Sequence, residues 1–236
     1  MTRLRIAIGG LLALACLASC GLISSDVTNF DLTLPDKNFS VDAASWDVTD
    51  MEAQTLLSTD CSSAPQVCNS AAQAACPMNC SGACNAGTQT CDLSLDVSLY
   101  QSVDLLTEKP ELQSINDEPV IKVTIDSVTW EVSQNTLNTD TPAMDVYVAP
   151  MSVMDPKSPD AKLIGTIEPV AAGMVTDGPQ QIAFTADGKQ ALIDVMSTFK
   201  TPFNVIVGST ITISQGQSIP TGRLDAVVHI KAHAGI

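Results

Sequence analysis

From Cys91 onward the chain alternates. Leu93, Leu95, Val97, Leu99, Val103 and Leu105 all occupy odd positions, with polar or acidic residues mostly between them. Successive strand side chains point to opposite faces, so this pattern describes a long strand buried on one side only. Ile121, Val123 and Ile125 keep the odd parity, whereas Val128, Trp130 and Val132 are even. A one-residue slip carries every side chain to the other face, so Asp126-Ser127 predicts a bulge or bend. Period two returns in Met144–Val148, Leu163–Ile167, Ile182–Phe184, Phe203–Val207 with Ile211 and Ile213, and Leu224–Ile230. Upstream, "NFDLTL" and "NFSVDA" predict two shorter strands.

One segment breaks the rhythm. Ala191, Leu192, Val195, Met196 and Phe199 fall at i, i+1, i+4, i+5 and i+8, which is one apolar helix face. The helix is expected near 188–199, with Asp187 placed to cap it. Turn chemistry separates the strands in "NTDTP", "DPKSPD", "TDGPQ" and "QGQSIPTG". Many alternating strands with turns between them predict an all-β antiparallel sandwich over residues 27–236, each sheet with one solvated face. In general architecture this is similar to the immunoglobulin-like sandwiches, although no residue carries a specific signature of that family.

The first twenty residues have a different logic. Arg3 and Arg5 precede an uncharged run, Ile6 to Ala18. That run is shorter than the ~20 residues a bilayer span needs, and it has the length and flanks of an export signal. It ends in Leu17-Ala18-Ser19-Cys20, with a branched apolar residue, two small residues and a cysteine. This resembles the lipobox of bacterial lipoproteins. The resemblance implies a signal peptide over 1–19, a diacylglyceryl thioether on Cys20, cleavage before it and acylation of the new amine. Ala13-Leu14-Ala15 also fits an ordinary cleavage site before Cys16, but the lipobox is the more specific pattern. Two or three acyl chains on one residue exceed the single chain that binds only marginally, so the anchor is expected to be stable. Residue 21 is Gly rather than the Asp that often retains such proteins in the inner membrane. The resemblance therefore implies the outer membrane, with residues 20–26 as a short tether.

Charge excludes some partners. Loss of Arg3 and Arg5 with the signal leaves nine Lys+Arg against 26 Asp+Glu, a net charge of about −17. Nucleic-acid affinity rests on cations meeting phosphates, so nucleic acid is excluded as a partner. The same balance argues against a second, electrostatic attachment to anionic lipid.

The remaining cysteines, Cys61, Cys68, Cys76, Cys80, Cys84 and Cys91, lie within 31 residues. Cys76-x3-Cys80-x3-Cys84 would bring thiols together, as a metal or redox site requires. No His lies near them, no C-x2-C knuckle occurs, and export leads to an oxidising space. Three disulfides are therefore expected and no metal, with fifteen pairings open. The residues between them are small and polar, so 61–91 is read as a disulfide-stapled excursion from the sandwich. Within it, "APQVCNSAAQAAC" is expected to form a short helix.

No catalytic set is apparent. His229 and His233 are the only histidines, and on one strand face they would stand about 13 Å apart, too far for one metal. No G-x-S-x-G, H-E-x-x-H, P-loop or calcium loop occurs. Trp130 is in phase with the core; Trp46 is expected in the core too, but is the aromatic most worth testing for exposure. The function expected is a lipid-anchored envelope protein with a structural or partner-binding role, without cofactor, its partner an envelope protein. A hydrolase whose carboxylates converge only in three dimensions and a carrier of apolar ligands are the alternatives. Phe30 opens the first strand-like run ten residues after Cys20. An extended chain therefore keeps the domain within roughly 30 Å of the lipid.

Overall fold

The computed structural model describes residues 29–76, 79–115, 117–118 and 120–235. The expected signal peptide with Cys16, the expected acylation site Cys20 and the expected tether to residue 26 lie outside them. The fold is an antiparallel β-sandwich, as the alternation predicts. In the first sheet β11 (Arg223–Gly235) is central. It pairs along its length with β5 (Lys122–Asn135), which carries the two-residue β8 (Gln180–Gln181) on its far side. The other side of β11 is shared by β1 (Asn29–Asp31) and β2 (Lys37–Asp42). The second sheet runs β3 (Cys80–Cys84), β4 (Cys91–Val103), β10 (Phe203–Ile213), β6 (Met144–Pro150), β7 (Lys162–Ile167) and β9 (Ala183–Phe184). Leu93, Leu95, Ile164, Ile167, Leu192, Met196 and Phe199 are fully buried in the core.

The parity change in β5 is a bulge. Ser127 pairs with Lys231 and Ile125 with Ala232, which leaves Asp126 as the extra residue. Two other strands differ from expectation. Leu105 does not extend β4, because Asp104 accepts the Leu106 and Thr107 N–H groups and starts the single turn α3 (Leu105–Glu108). Nor is Ile182–Phe184 one strand. Gln180 and Gln181 pair with β5 of the first sheet, and Ala183 and Phe184 pair with β7 of the second. The chain changes sheets at the buried Ile182.

There is also more helix than the periodicity suggests. α1 (Asp50–Leu57) is opened by Thr49 at its N-cap, whose Oγ1 accepts the Glu52 N–H and donates to the Glu52 carboxylate. α2 (Val67–Ala75) occupies the expected alanine-rich stretch. α4 (Gly188–Ser197) matches the expected helix, and Asp187 stands at its N-cap position. Its backbone is already helical, however, and its side chain makes no capping bond.

The cysteines pair Cys61–Cys84, Cys68–Cys91 and Cys76–Cys80. Their segment is less of an excursion than its composition suggests. β3 is the edge strand of the second sheet and forms a hairpin with β4. Cys61, Cys68, Cys76 and Cys91 are buried in the common core. Small residues fill this region because α2 lies directly on β3, so close that a methyl group on Gly82 would overlap the Cys68 carbonyl.

Strand register defines two ends. Gly235 pairs with both Asn29 and Lys122, so the start of β1, the start of β5 and the end of β11 lie together. Lys109 reaches Asp31 at 3.9 Å, the Ile121 N–H donates to the Ser197 carbonyl, and Pro150 pairs with Phe203. Segments 104–121 and 198–202 therefore close this same end, from which the chain continues back toward Cys20. Arg223, Asn135 and the disulfide lobe mark the other. The thirteen residues of β11 separate the two ends by roughly 40 Å.

Candidate functional site

The loop 151–161 lies back over the outer face of the second sheet as a strap. Asn204 Nδ2 donates to the Met151 and Val153 carbonyls at 3.1 and 2.8 Å, and Ser98 Oγ donates to the Met154 carbonyl at 3.1 Å. Pro156 sits on Gly208, where a Cβ would stand 2.7 Å from its ring carbons. Lys157 Nζ closes the strap on Asp96 Oδ2 at 2.6 Å. Ala149, Asn204 and Ile206, which point outward, are buried beneath it, and so every residue from Phe203 to Gly208 is buried.

Beside the strap lies a groove of about 530 Å³, lined in part by Asp96, Ser98, Asp145, Tyr147, Met154 and Thr210. Its carboxylates are already engaged. Asp96 receives Lys157 and a 2.9 Å bond from Thr210 Oγ1. Asp145 receives Thr166 Oγ1 at 2.9 Å and the Tyr147 hydroxyl at 3.4 Å. Burial, then the neighbouring Asp145 charge and its hydrogen bond, hold the Tyr147 phenol above its usual 10.0. At neutral pH it is therefore a hydrogen-bond donor and not a base. The groove offers acceptors, a phenol and one ammonium, but no pairing of a nucleophile with a base. It can bind a polar group, and it is not arranged to activate one.

The two histidines share the outward face of β11, as expected, and each has its own carboxylate. His229 Nδ1 stands 2.6 Å from Asp36 Oδ1, with Glu131 3.6 Å from its Nε2, and His233 Nδ1 is 3.0 Å from Asp126 Oδ1. The structure does not bring them together. The sulfurs of Cys61, Cys68 and Cys84 do converge, all within 4.8 Å of one another. They meet because the Cys61–Cys84 and Cys68–Cys91 bonds lie side by side. A sulfur in a disulfide is not the thiolate that a metal takes.

Trp46 is not an exposed platform. It is buried at the end of a 3-10 turn (Ala43–Trp46), with its indole N–H donating to the Asp96 carbonyl at 3.2 Å. Trp130 is likewise in the core. The strap was not evident in sequence, where "DPKSPD" signals only a turn. Asp96 and Lys157, 61 residues apart, carry no shared pattern. Among the described residues no helix is long and apolar enough to cross a membrane. In comparisons with known proteins, no family model matches the chain and no curated protein is significantly similar to it.

Proposed function

We propose that the protein is a lipoprotein of the bacterial cell envelope, anchored through acylated Cys20, with a structural or partner-binding role and no catalysis of its own. One observation carries this reading: Leu17-Ala18-Ser19-Cys20 behind an uncharged run and two arginines. Three disulfides suit the oxidising space to which such a signal leads. The groove carboxylates, each tied to a neighbour, suit recognition better than hydrolysis. Fully buried side chains such as Leu93, Leu95 and Ile164 pack between the sheets, which weighs against an apolar-ligand carrier. Gly21 favours the outer membrane, and the short tether favours an envelope protein near the bilayer as partner.

The test is fatty-acid labelling of the wild type and of Cys20→Ala. The wild type takes label, and the variant accumulates as an unlabelled precursor. Normal processing and labelling of the variant would refute the anchor. Crosslinking in intact envelopes tests the role. One stoichiometric protein partner supports it, and no partner together with hydrolytic activity of the purified protein overturns it.

A further inference from the structure

We propose that the end of the sandwich from which the tether leaves is a lipid-facing platform, so that the molecule stands upright with its disulfide lobe pointing away from the membrane. This rests on the lipoprotein reading and adds a surface and an orientation to it. Three observations converge. The first is reach. Eight residues lie between Cys20 and Asn29, at most about 30 Å of chain, which is less than the roughly 40 Å length of the sandwich. The tether end is therefore held at the bilayer, and an orientation with the lobe downward would have to draw the tether along the whole body.

The second is charge. Segments 42–95, 136–145, 166–179 and 214–225 build the far end, and they hold eleven carboxylates with Arg223 as their one cation. Segments 29–37, 100–126, 161–163, 197–204 and 231–235 build or approach the tether end, and they hold six of the nine cations after Cys20, against eight carboxylates. Two of those lysines already offset carboxylates here, Lys37 with Glu108 and Lys109 with Asp31. Both ends are net negative, but the far end much more so, so an anionic lipid surface repels the far end the more strongly, and the field acts within about a Debye length of the headgroups. Net charge alone conceals this sorting.

The third is that the tether end has exposed apolar side chains to insert; Met51, Met174 and Val175 are exposed at the far end too, so it is the tether's reach that decides which set meets the lipid. Val120 is 52% exposed two residues before Lys122, which pairs with Gly235 beside the tether. Met151 is 54% exposed directly after Pro150, whose partner Phe203 pairs in turn with Val103 at that end. Such side chains gain by entering the interface between headgroups and acyl chains.

The experiment uses the full lipidated protein in phosphatidylcholine–phosphatidylglycerol vesicles whose acyl chains carry bromine near the headgroup. Tryptophan is introduced singly as Val120→Trp, Met151→Trp or Met174→Trp, all exposed positions. Met174 stands in the 168–179 loop at the far end, so it controls for general stickiness. The native Trp46 and Trp130 are buried and give a constant background. The expected result is loss of emission at positions 120 and 151 and none at 174. Protein that floats with the vesicles but is quenched equally at all three positions, at 174 alone, or at none, overturns this inference and leaves the anchor standing. Protein that does not float overturns both.

Discussion

Lys37 is a lysine inside a sandwich, and its partner sets how the fold responds to mutation. It occupies an inward position of β2 and is only 7% exposed. Its ammonium donates to Glu108 Oε1 at 2.7 Å and, weakly, to the Ser102 carbonyl at 3.4 Å. The Glu108 side chain, on the turn that follows β4, is 16% exposed, and its Oε2 is buried without a hydrogen bond. The pair thus has one good contact and one orphaned oxygen, a geometry in which desolvation offsets most of the attraction. Glu108→Leu leaves the ammonium buried beside a carbonyl only and should destabilise the fold by about 3–5 kcal/mol. Lys37→Met strands the carboxylate, which can turn partly toward water, and should cost toward the lower end of that range. The double variant removes both desolvation penalties and the orphaned Oε2. It should lie within about 1 kcal/mol of the wild type, or above it. Equilibrium urea unfolding of the four disulfide-intact proteins, with unchanged slopes, yields the coupling. If the double variant loses the sum of the two single losses, the groups are not coupled. If Glu108→Leu costs less than about 1 kcal/mol, the pair behaves as a surface contact. Either result refutes the reasoning.

Three further outcomes are expected. Paired Cys→Ala replacement of Cys68–Cys91, with a sequence separation of 23, should cost about 3.5 kcal/mol by loop entropy, against about 2 for Cys76–Cys80, with a separation of 4. Urea midpoints in the reverse order would show that strain or residual structure dominates. The Asp225 carboxyl lies below its ordinary 3.8. Burial opposes this, but the Arg223 guanidinium, its Nε 2.7 Å away, and a Ser40 hydrogen bond outweigh it. Its contribution is full above that ordinary value and is lost as pH falls through the lower folded one, so Asp225→Asn should flatten the acid limb of stability against pH below about 4. Parallel limbs would discount the interaction. Gly208→Val should push Pro156 off the sheet, cost about 1–3 kcal/mol and speed proteolysis at Lys157 and Lys162. An unchanged cleavage rate would mean that the strap does not depend on that contact.

Period-two patterning was enough to locate most strands, because burial on one face leaves its trace in every second residue. It marked even the bulge at Asp126, since a parity change has no other cheap explanation. It failed where a local polar group outcompeted the pattern, as Asp104 does by capping α3 one residue before Leu105. It failed again at Ile182, where one short apolar run serves two sheets. The helix at Asp50 was signalled only by Thr49 at its N-cap with Glu52 three residues on, and not by a strong apolar face. Disulfide pairing was beyond reach for a different reason. Spacing restricts which thiols can meet, but only the approach of α2 to β3, permitted by Gly82, decides that Cys68 faces Cys91. The groove shares that limit, because Asp96, Asp145 and Lys157 become neighbours only through sheet order and a folded-back strap.

Charge shows most clearly what a linear reading loses. Scattered along the chain, the carboxylates look like a uniform solubilising coat, and a net charge of about −17 argues against any approach to anionic lipid. Antiparallel topology re-sorts them, because every second connection returns to the same end of the sandwich. Lys109, Lys122 and Lys200 come from three separate parts of the chain and gather at the end where β1 starts. The long stretch 42–95, with no Lys or Arg at all, is folded into the opposite end. On the proposed anchoring through Cys20, the eight residues between it and Asn29 make the field at that end, and not the sum over the whole surface, the term that governs orientation.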